Sequence, residues 1–222
     1  MRMRFMFYVI GVGGTGSLLA RDLPKLLINT KHRMCLIDQD EVEKKNIVRQ
    51  GYQEQDIGEN KAIALSRKIN SLYHINCLFV DDYVTDISLL KIINEYITYT
   101  PVLIGCVDND KTRIMLEKVV NQLNECVYID SANSEYDGNI YVYLKDHEQS
   151  SGKMRGQCYK LENDVHPNEI SCQDNAAIGN VQYLVTNAKM AVAVLEHCNA
   201  LIQLRLKGGV QNVKRFETVF YE

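Results

Sequence analysis

The chain has 222 residues, 46% of them hydrophobic, and sets 28 acidic against 25 basic side chains for a formal charge of −3. That length and apolar share suit one soluble α/β-sized domain, residues 1–222, with a full core. The acidic balance, with no lysine or arginine run, argues against a nucleic-acid partner, and nothing approaches the ~20 apolar residues of a membrane span.

Phe5–Ile10 (FMFYVI) reads as a buried strand that runs into glycines rather than a cleavage site, so no signal peptide is expected and the protein is placed in the cytoplasm. A glycine-rich loop, GVGGTG at Gly11–Gly16, follows, and then a helix through about Asn29. Arg33–Asp38 is a second strand, and Lys61–Leu72 has helical spacing. Asn76–Val80 and Ile87–Ile97 read as strand and helix. Val102–Val107 and a helix through about Leu123 repeat the pattern, and Cys126–Asp130 is a fifth strand. Strands alternating with helices of this length predict βαβ crossovers, hence a Rossmann-like, mainly parallel sheet with helices on both faces.

The pattern then changes. Asn139–Leu144 reads as a strand reached through a turn at Asp137-Gly138, which predicts antiparallel strands extending the sheet toward the C-terminal end. Lys145–Gln173 is polar and aperiodic, and residues 145–175 are expected to form a flexible lid or crossover loop. A helix from about Ala176 to Leu206 stops at Gly208-Gly209, and Asn212–Tyr221 closes as a strand.

Seven cysteines (Cys35, Cys77, Cys106, Cys126, Cys158, Cys172, Cys198) make an odd set with no CxxC pair. The first four sit in or beside strand-like runs and read as small buried hydrophobes in a reducing compartment. No structural zinc site is expected.

Gly11, Gly13, Gly14 and Gly16 between a strand and a helix permit close backbone approach to phosphate, and the helix N-terminus offers free N–H groups. Asp38, near the end of the second strand, suits ribose hydroxyls. Taken only this far, an NAD(P)-dependent oxidoreductase or a methyltransferase fits as well. Asp40, Asn46, Arg49 and Gln50 follow from the same strand end, where open α/β sheets bind ligands, and Lys61 opens the next helix. A charged surface helix would be the bland account of that run. Arg49 and Asn46 can instead neutralise and orient a phosphoryl group. Asp108 in VDNDKTR leaves the fourth strand and can hold Mg²⁺ against phosphates, or cap a helix, a task Asn109 or Asp110 could also take.

The run GxGGxG, DxDxVxxxNxxRQ, GxxK and DNxxTR resembles the ThiF/MoeB/HesA family, adenylyltransferases related to ubiquitin-activating enzymes, over nearly the whole chain. The segment SANSEYDGNIYVY is similar to the family's stretch after the fifth strand. The short chain is also similar to PRTRC-type members.

The resemblance implies that Gly11, Gly13, Gly14 and Gly16 line the ATP phosphates and that Asp38 binds ribose. It implies further that Asp40, Asn46, Arg49, Gln50 and Lys61 surround the triphosphate while Asp108 is the metal-associated acid. The implied partner is a small ubiquitin-like protein ending in Gly-Gly, adenylated at its C-terminal carboxylate by a homodimeric enzyme using ATP and Mg²⁺. Cys172, before the last helix, is the thiol for any covalent step, with Cys158 second; an unreactive loop cysteine is the competing reading. Loss of chemistry would leave a nucleotide-binding scaffold of the same fold.

The chain departs from the family in lacking two CxxC pairs, an inserted cysteine domain and N-terminal helices that lend an arginine in trans. Arg2, Arg4 or Arg21 is the expected substitute, and nothing in the sequence chooses among them.

Overall fold

The computed structural model describes residues 3–134, 136–162 and 184–214. In chain order these form β1 (Phe5–Ile10), α1 (Gly14–Leu27), β2 (Arg33–Ile37), α2 (Lys61–Tyr73), β3 (Cys77–Val80), α3 (Asp86–Glu95), β4 (Thr100–Gly105) and α4 (Asp110–Gln122). Then come β5 (Glu125–Asn133), β6 (Asp137–Asp146), β7 (Gln149–Ser151), α5 (Leu184–Ile202) and β8 (Gly209–Lys214). Short 3-10 turns occupy Lys44–Asn46, Glu54–Asp56 and Arg155–Gln157.

The described strands make one eight-stranded sheet in the order β3-β2-β1-β4-β5-β6-β7, with β8 beside β6. Pairing is parallel from β3 through β5 and antiparallel from β5 onward. This is the expected Rossmann-like sheet with antiparallel strands at its C-terminal end.

The period-2 alternation of each strand divides the core in two. Phe5, Phe7 and Val9 of β1, with Met34 and Leu36 of β2, meet Leu19 and Leu23 of α1, Leu65 of α2 and Val194 of α5. Met6, Tyr8 and Ile10, with Cys35 and Ile37, meet Leu89 of α3 and Leu116 and Val120 of α4 on the other face. Helices therefore cover both faces, and strands buried on both sides carry the unbroken apolar runs seen in the sequence.

Several bounds differ from expectation. β4 begins and ends two residues earlier than Val102–Val107. Pro101 is tolerated in this central strand because pairing with β5 starts only at Val102, so its missing N–H costs no ladder bond. β5 and β6 extend past Cys126–Asp130 and Asn139–Leu144, since they pair with each other over Glu125–Asn133 and Asp137–Asp146. The described part of the last helix stops at Ile202, short of Leu206.

The segment expected to be a lid or crossover loop, residues 145–175, is described up to residue 162. Gln149–Ser151 pairs with β6, and Met154 and Arg155 are buried at 3% and 7% exposure, so residues up to 162 form a strap packed on the domain. β7 and β8 meet end to end beside β6: a Cβ on Gly208 would collide with the Ser151 carbonyl and the Gly152 N–H group.

Candidate functional site

The sheet reverses its winding between β1 and β4, and the loops leaving the carboxyl ends of β1, β2 and β4 converge there. Gly11 turns the chain out of β1 at φ +83° and donates its N–H to the Ile37 carbonyl at 2.9 Å. Gly16 lies against it: a Cβ there would overlap the Gly11 carbonyl oxygen and stand 3.2 Å from Cys106 Cβ. Gly13 differs, because a Cβ at that position would meet nothing nearer than Gln50 Nε2 at 3.9 Å. Its bare backbone leaves open space that protein packing does not require. Gly14 opens α1, so the cradle sits on a helix N-terminus.

Asp38 anchors the loop's other side. Its Oδ2 accepts the Val12 N–H at 2.7 Å and its Oδ1 the Asp40 N–H at 2.9 Å, while its carbonyl accepts from Asn60 Nδ2. Burial pushes the carboxyl up to about 6, Lys61 opposing and Asp40 adding to the rise. Asn60 also caps α2 through the N–H groups of Ala62 and Ile63, which fixes Lys61 at the helix start.

Lys61 is 6% exposed and reaches back to Asp40 Oδ2 at 2.7 Å, and its N–H meets the Asp40 carbonyl. Asp40 is thus the partner of the lysine rather than a free acid near phosphate. Asn46 is 3% exposed; its Oδ1 takes the Glu43 N–H and its carbonyl takes the N–H groups of Arg49 and Gln50. Asn46 therefore builds the turn that presents Arg49. Gln50 Oε1 is buried beside the cradle without a hydrogen-bond partner, an acceptor that a bound hydroxyl would satisfy.

Past β4, Asn109 caps α4 by accepting the Thr112 N–H at 2.8 Å, which leaves the exposed Asp108 carboxylate out of the cap. A single exposed carboxylate at the cradle's edge suits Mg²⁺ held mainly by substrate phosphates and water. Among the described residues no cluster of three or more His, Cys, Asp or Glu side chains can hold a metal ion, and no helix is long and apolar enough to cross a membrane.

The thiols divide sharply. Burial pushes Cys35, Cys106 and Cys126 up to about 12 and Cys77 and Cys198 higher, so these five are inert. Cys158 is exposed on the strap, and Cys172 lies outside the described residues.

Sequence reasoning missed two groups. Asp130 on β5 is fully buried between Arg155 of the strap, in close ion contact, and Arg113 of α4 at 3.4 Å; Arg113 also meets Asp110 and the Val107 carbonyl. Tyr52 and Ser17 tie the Arg49 segment to the glycine loop. The signal for Ser17 and Tyr52 was their place one and two residues past the motifs; Asp130 carried none.

The chain matches the family model described as "ThiF family" over residues 4–217. It is 30% identical over 201 residues to "Adenylyltransferase and sulfurtransferase MOCS3" of Drosophila persimilis and, to the same extent, to MOCS3-2 of Drosophila pseudoobscura pseudoobscura. The match takes in 88% of this chain and 40% of each relative, so the chain spans well under half their length.

Among solved structures, E. coli MccB with MccA-N7isoASN superposes with a TM-score of 0.68 at 18% identity, over 91% of this chain and 58% of MccB. PaaA gives 0.67 at 16% identity over 96% and 64%. E. coli MccB with ATP gives 0.66 at 17% over 91% and 57%. At those identities the likeness is one of fold.

Proposed function

Because this chain belongs to the ThiF family, we propose that it is an ATP-dependent adenylyltransferase that activates the C-terminal carboxylate of a small ubiquitin-like protein ending in Gly-Gly. The observation that carries this reading is the convergence at one sheet edge of the open cradle at Gly13, the Asp40–Lys61 pair, the Arg49–Gln50 turn and the exposed Asp108. The similarity to an adenylyltransferase and sulfurtransferase supports it. MccB, crystallised with MccA-N7isoASN, shares the fold and leaves the size of the acyl carrier to experiment.

In this reading Gly11, Gly13, Gly14 and Gly16 cradle the phosphates, and Asp38 with Gln50 faces the ribose. A carboxylate oxygen of the acyl substrate attacks the α-phosphorus. The bond from that phosphorus to the bridging oxygen breaks, and its electron pair leaves with pyrophosphate, giving acyl-AMP. Catalysis is then positioning and charge neutralisation. Arg49 and Lys61 bear on the departing pyrophosphate, with Asp40 holding the lysine until substrate arrives. Mg²⁺, brought with ATP, supplies further positive charge, and Asp108 would hold it.

ATP–pyrophosphate exchange, with small Gly-Gly proteins and their isolated C-terminal peptides as acyl substrates, tests the proposal. Exchange with the protein but not the peptide is expected. Arg49→Ala and Asp108→Ala should each lower it by at least a hundredfold without shifting the thermal midpoint. Near-normal exchange in both variants would sink the mechanism.

A further inference from the structure

The glycine loop and the Arg49–Gln50 turn come from separate parts of the chain, and two buried hydroxyls fasten one to the other. Tyr52, 4% exposed, donates from Oη to the Val12 carbonyl at 2.6 Å. Ser17, fully buried, accepts the Gly51 N–H at 2.9 Å. Val12 is itself fully buried, and its N–H is taken by Asp38. Both polar groups of this loop residue are therefore held from outside the loop.

Burial, and then the charges of Asp38, Asp56 and Asp40, keep the Tyr52 phenol well above its ordinary value, so it stays a proton donor. The backbones also meet: a Cβ on Gly51 would stand 3.0 Å from the Ser17 carbonyl oxygen.

Neither hydroxyl can touch a nucleotide, because protein covers both. As ordinary core hydrogen bonds each would contribute about 1 kcal/mol to stability and nothing more. Their placement gives them a second consequence. Gly51 and Tyr52 directly follow Arg49 and Gln50, while Val12 lies within the cradle and Ser17 immediately after it. One residue separates Arg49 from the pinned Gly51. The distance from the arginine backbone to the cradle is thus set by these two bonds, within the play of one or two peptide units. A misplacement of about 1 Å in such a site costs on the order of a hundredfold in rate.

We propose that Tyr52 and Ser17 are positioning residues that fix the register between the phosphate cradle and Arg49. The proposal rests on the adenylation reading and extends it to residues that act only through another side chain. It differs from a purely structural role in requiring Arg49: without that guanidinium, nothing is left for the register to place.

The test uses the full chain, titrated calorimetrically with ATP and Mg²⁺, together with amide hydrogen exchange of the nucleotide-free protein over residues 11–16 and 49–52. Tyr52→Phe keeps the ring and removes the hydroxyl. It should weaken ATP about tenfold in the native background and less than twofold in an Arg49→Ala background, while quickening exchange in both segments. Ser17→Ala should act in the same direction.

Equal losses in the two backgrounds, or unchanged ATP affinity in both single variants, overturn the proposal. Should Tyr52→Phe fail to fold, Ser17→Ala decides by the same two comparisons. Should the native chain not bind ATP, the adenylation reading falls by itself. The lock then stands on exchange quickening in both segments together, and unchanged exchange overturns it.

Discussion

Gly16 and Gly13 look alike in the sequence and differ in what surrounds them, which makes an alanine at each a discriminating pair. Gly16 lies in the first turn of α1, where alanine would ordinarily gain up to ~1 kcal/mol of helix propensity. Its Cβ, however, would overlap the Gly11 carbonyl oxygen, with the carbonyl carbon at 3.0 Å and Cys106 Cβ at 3.2 Å. The first obstacle is backbone, so the loop must move, at a cost of about 1–3 kcal/mol or more. The clash outweighs the propensity. The overlap is with backbone and severe, so the upper end applies: about 3 kcal/mol less ~1 kcal/mol of propensity leaves about 2 kcal/mol. At about 2–4 °C per kcal/mol for a chain this long, Gly16→Ala should lower the melting midpoint by about 4–8 °C and lose ATP binding with it.

At Gly13 the nearest atom to an added Cβ is the flexible Gln50 Nε2 at 3.9 Å, so alanine fills the cradle rather than the protein. Gly13→Ala should therefore cost less stability than Gly16→Ala and still weaken ATP by at least tenfold. Circular-dichroism melts and calorimetric titration with ATP and Mg²⁺ read the two quantities separately. ATP affinity within threefold of the native value in Gly13→Ala would refute the assignment of that space to phosphate.

Two further outcomes follow from the half-buried Asp38 and the buried Asp130. Asp38 has its carboxyl raised from 3.8 to about 6 by burial, so the folded protein binds that proton more tightly than the unfolded chain. Its contribution is full below pH ~4 and is lost as pH rises through about 6; urea denaturation of the nucleotide-free protein at pH 5 and 7.5 should show a loss on the order of 1–2 kcal/mol that Asp38→Asn abolishes. Identical pH slopes in the two proteins would count against it. Asp130→Ala removes the carboxylate shared by Arg113 and Arg155, leaving Arg113 to Asp110 and Arg155 with the neutral Asn139, and should cost about 3–5 kcal/mol, a fall on the order of 10 °C in the melting midpoint. A fall under about 3 °C would mean that Asp110 and Asn139 suffice to hold the two arginines.

What could be read in advance followed from local pattern. Strands buried on both faces announce themselves as apolar runs, and β1, β2 and the middle of β5 were legible for that reason; β3 was legible as an apolar run too, although Phe79 is exposed at the sheet's edge. β7 was not, because Gln149–Ser151 is polar and exposed throughout and owes its strand conformation to β6 alone. Asp108 and Asn109 were both readable as caps, and the task falls to Asn109 because its Oδ1 takes the Thr112 N–H. The Asp130 network joins residues 17 and 25 apart in the chain, and no spacing rule links such positions before the sheet is built. Asp40 was placed at the right strand end, yet its pairing with Lys61 depends on the angle at which α2 returns.

The junction of β7 and β8 has an architectural consequence. Chain leaves the sheet at Gly152 and comes back at Gly208 to the same spot, so the two short strands act as one edge strand spliced from two distant segments. Everything between them, strap and α5 included, is a single excursion whose ends are already joined through β6. Loop-closure entropy grows only slowly with length, so the strap can lengthen or shorten without disturbing the register of the strands, whereas α5, with Met190 and Val194 in the core, is held in place. The candidate site at the carboxyl ends of β1, β2 and β4 lies apart from the splice. A change of length in the strap should therefore leave the glycine loop and the pairing of β6 as they are.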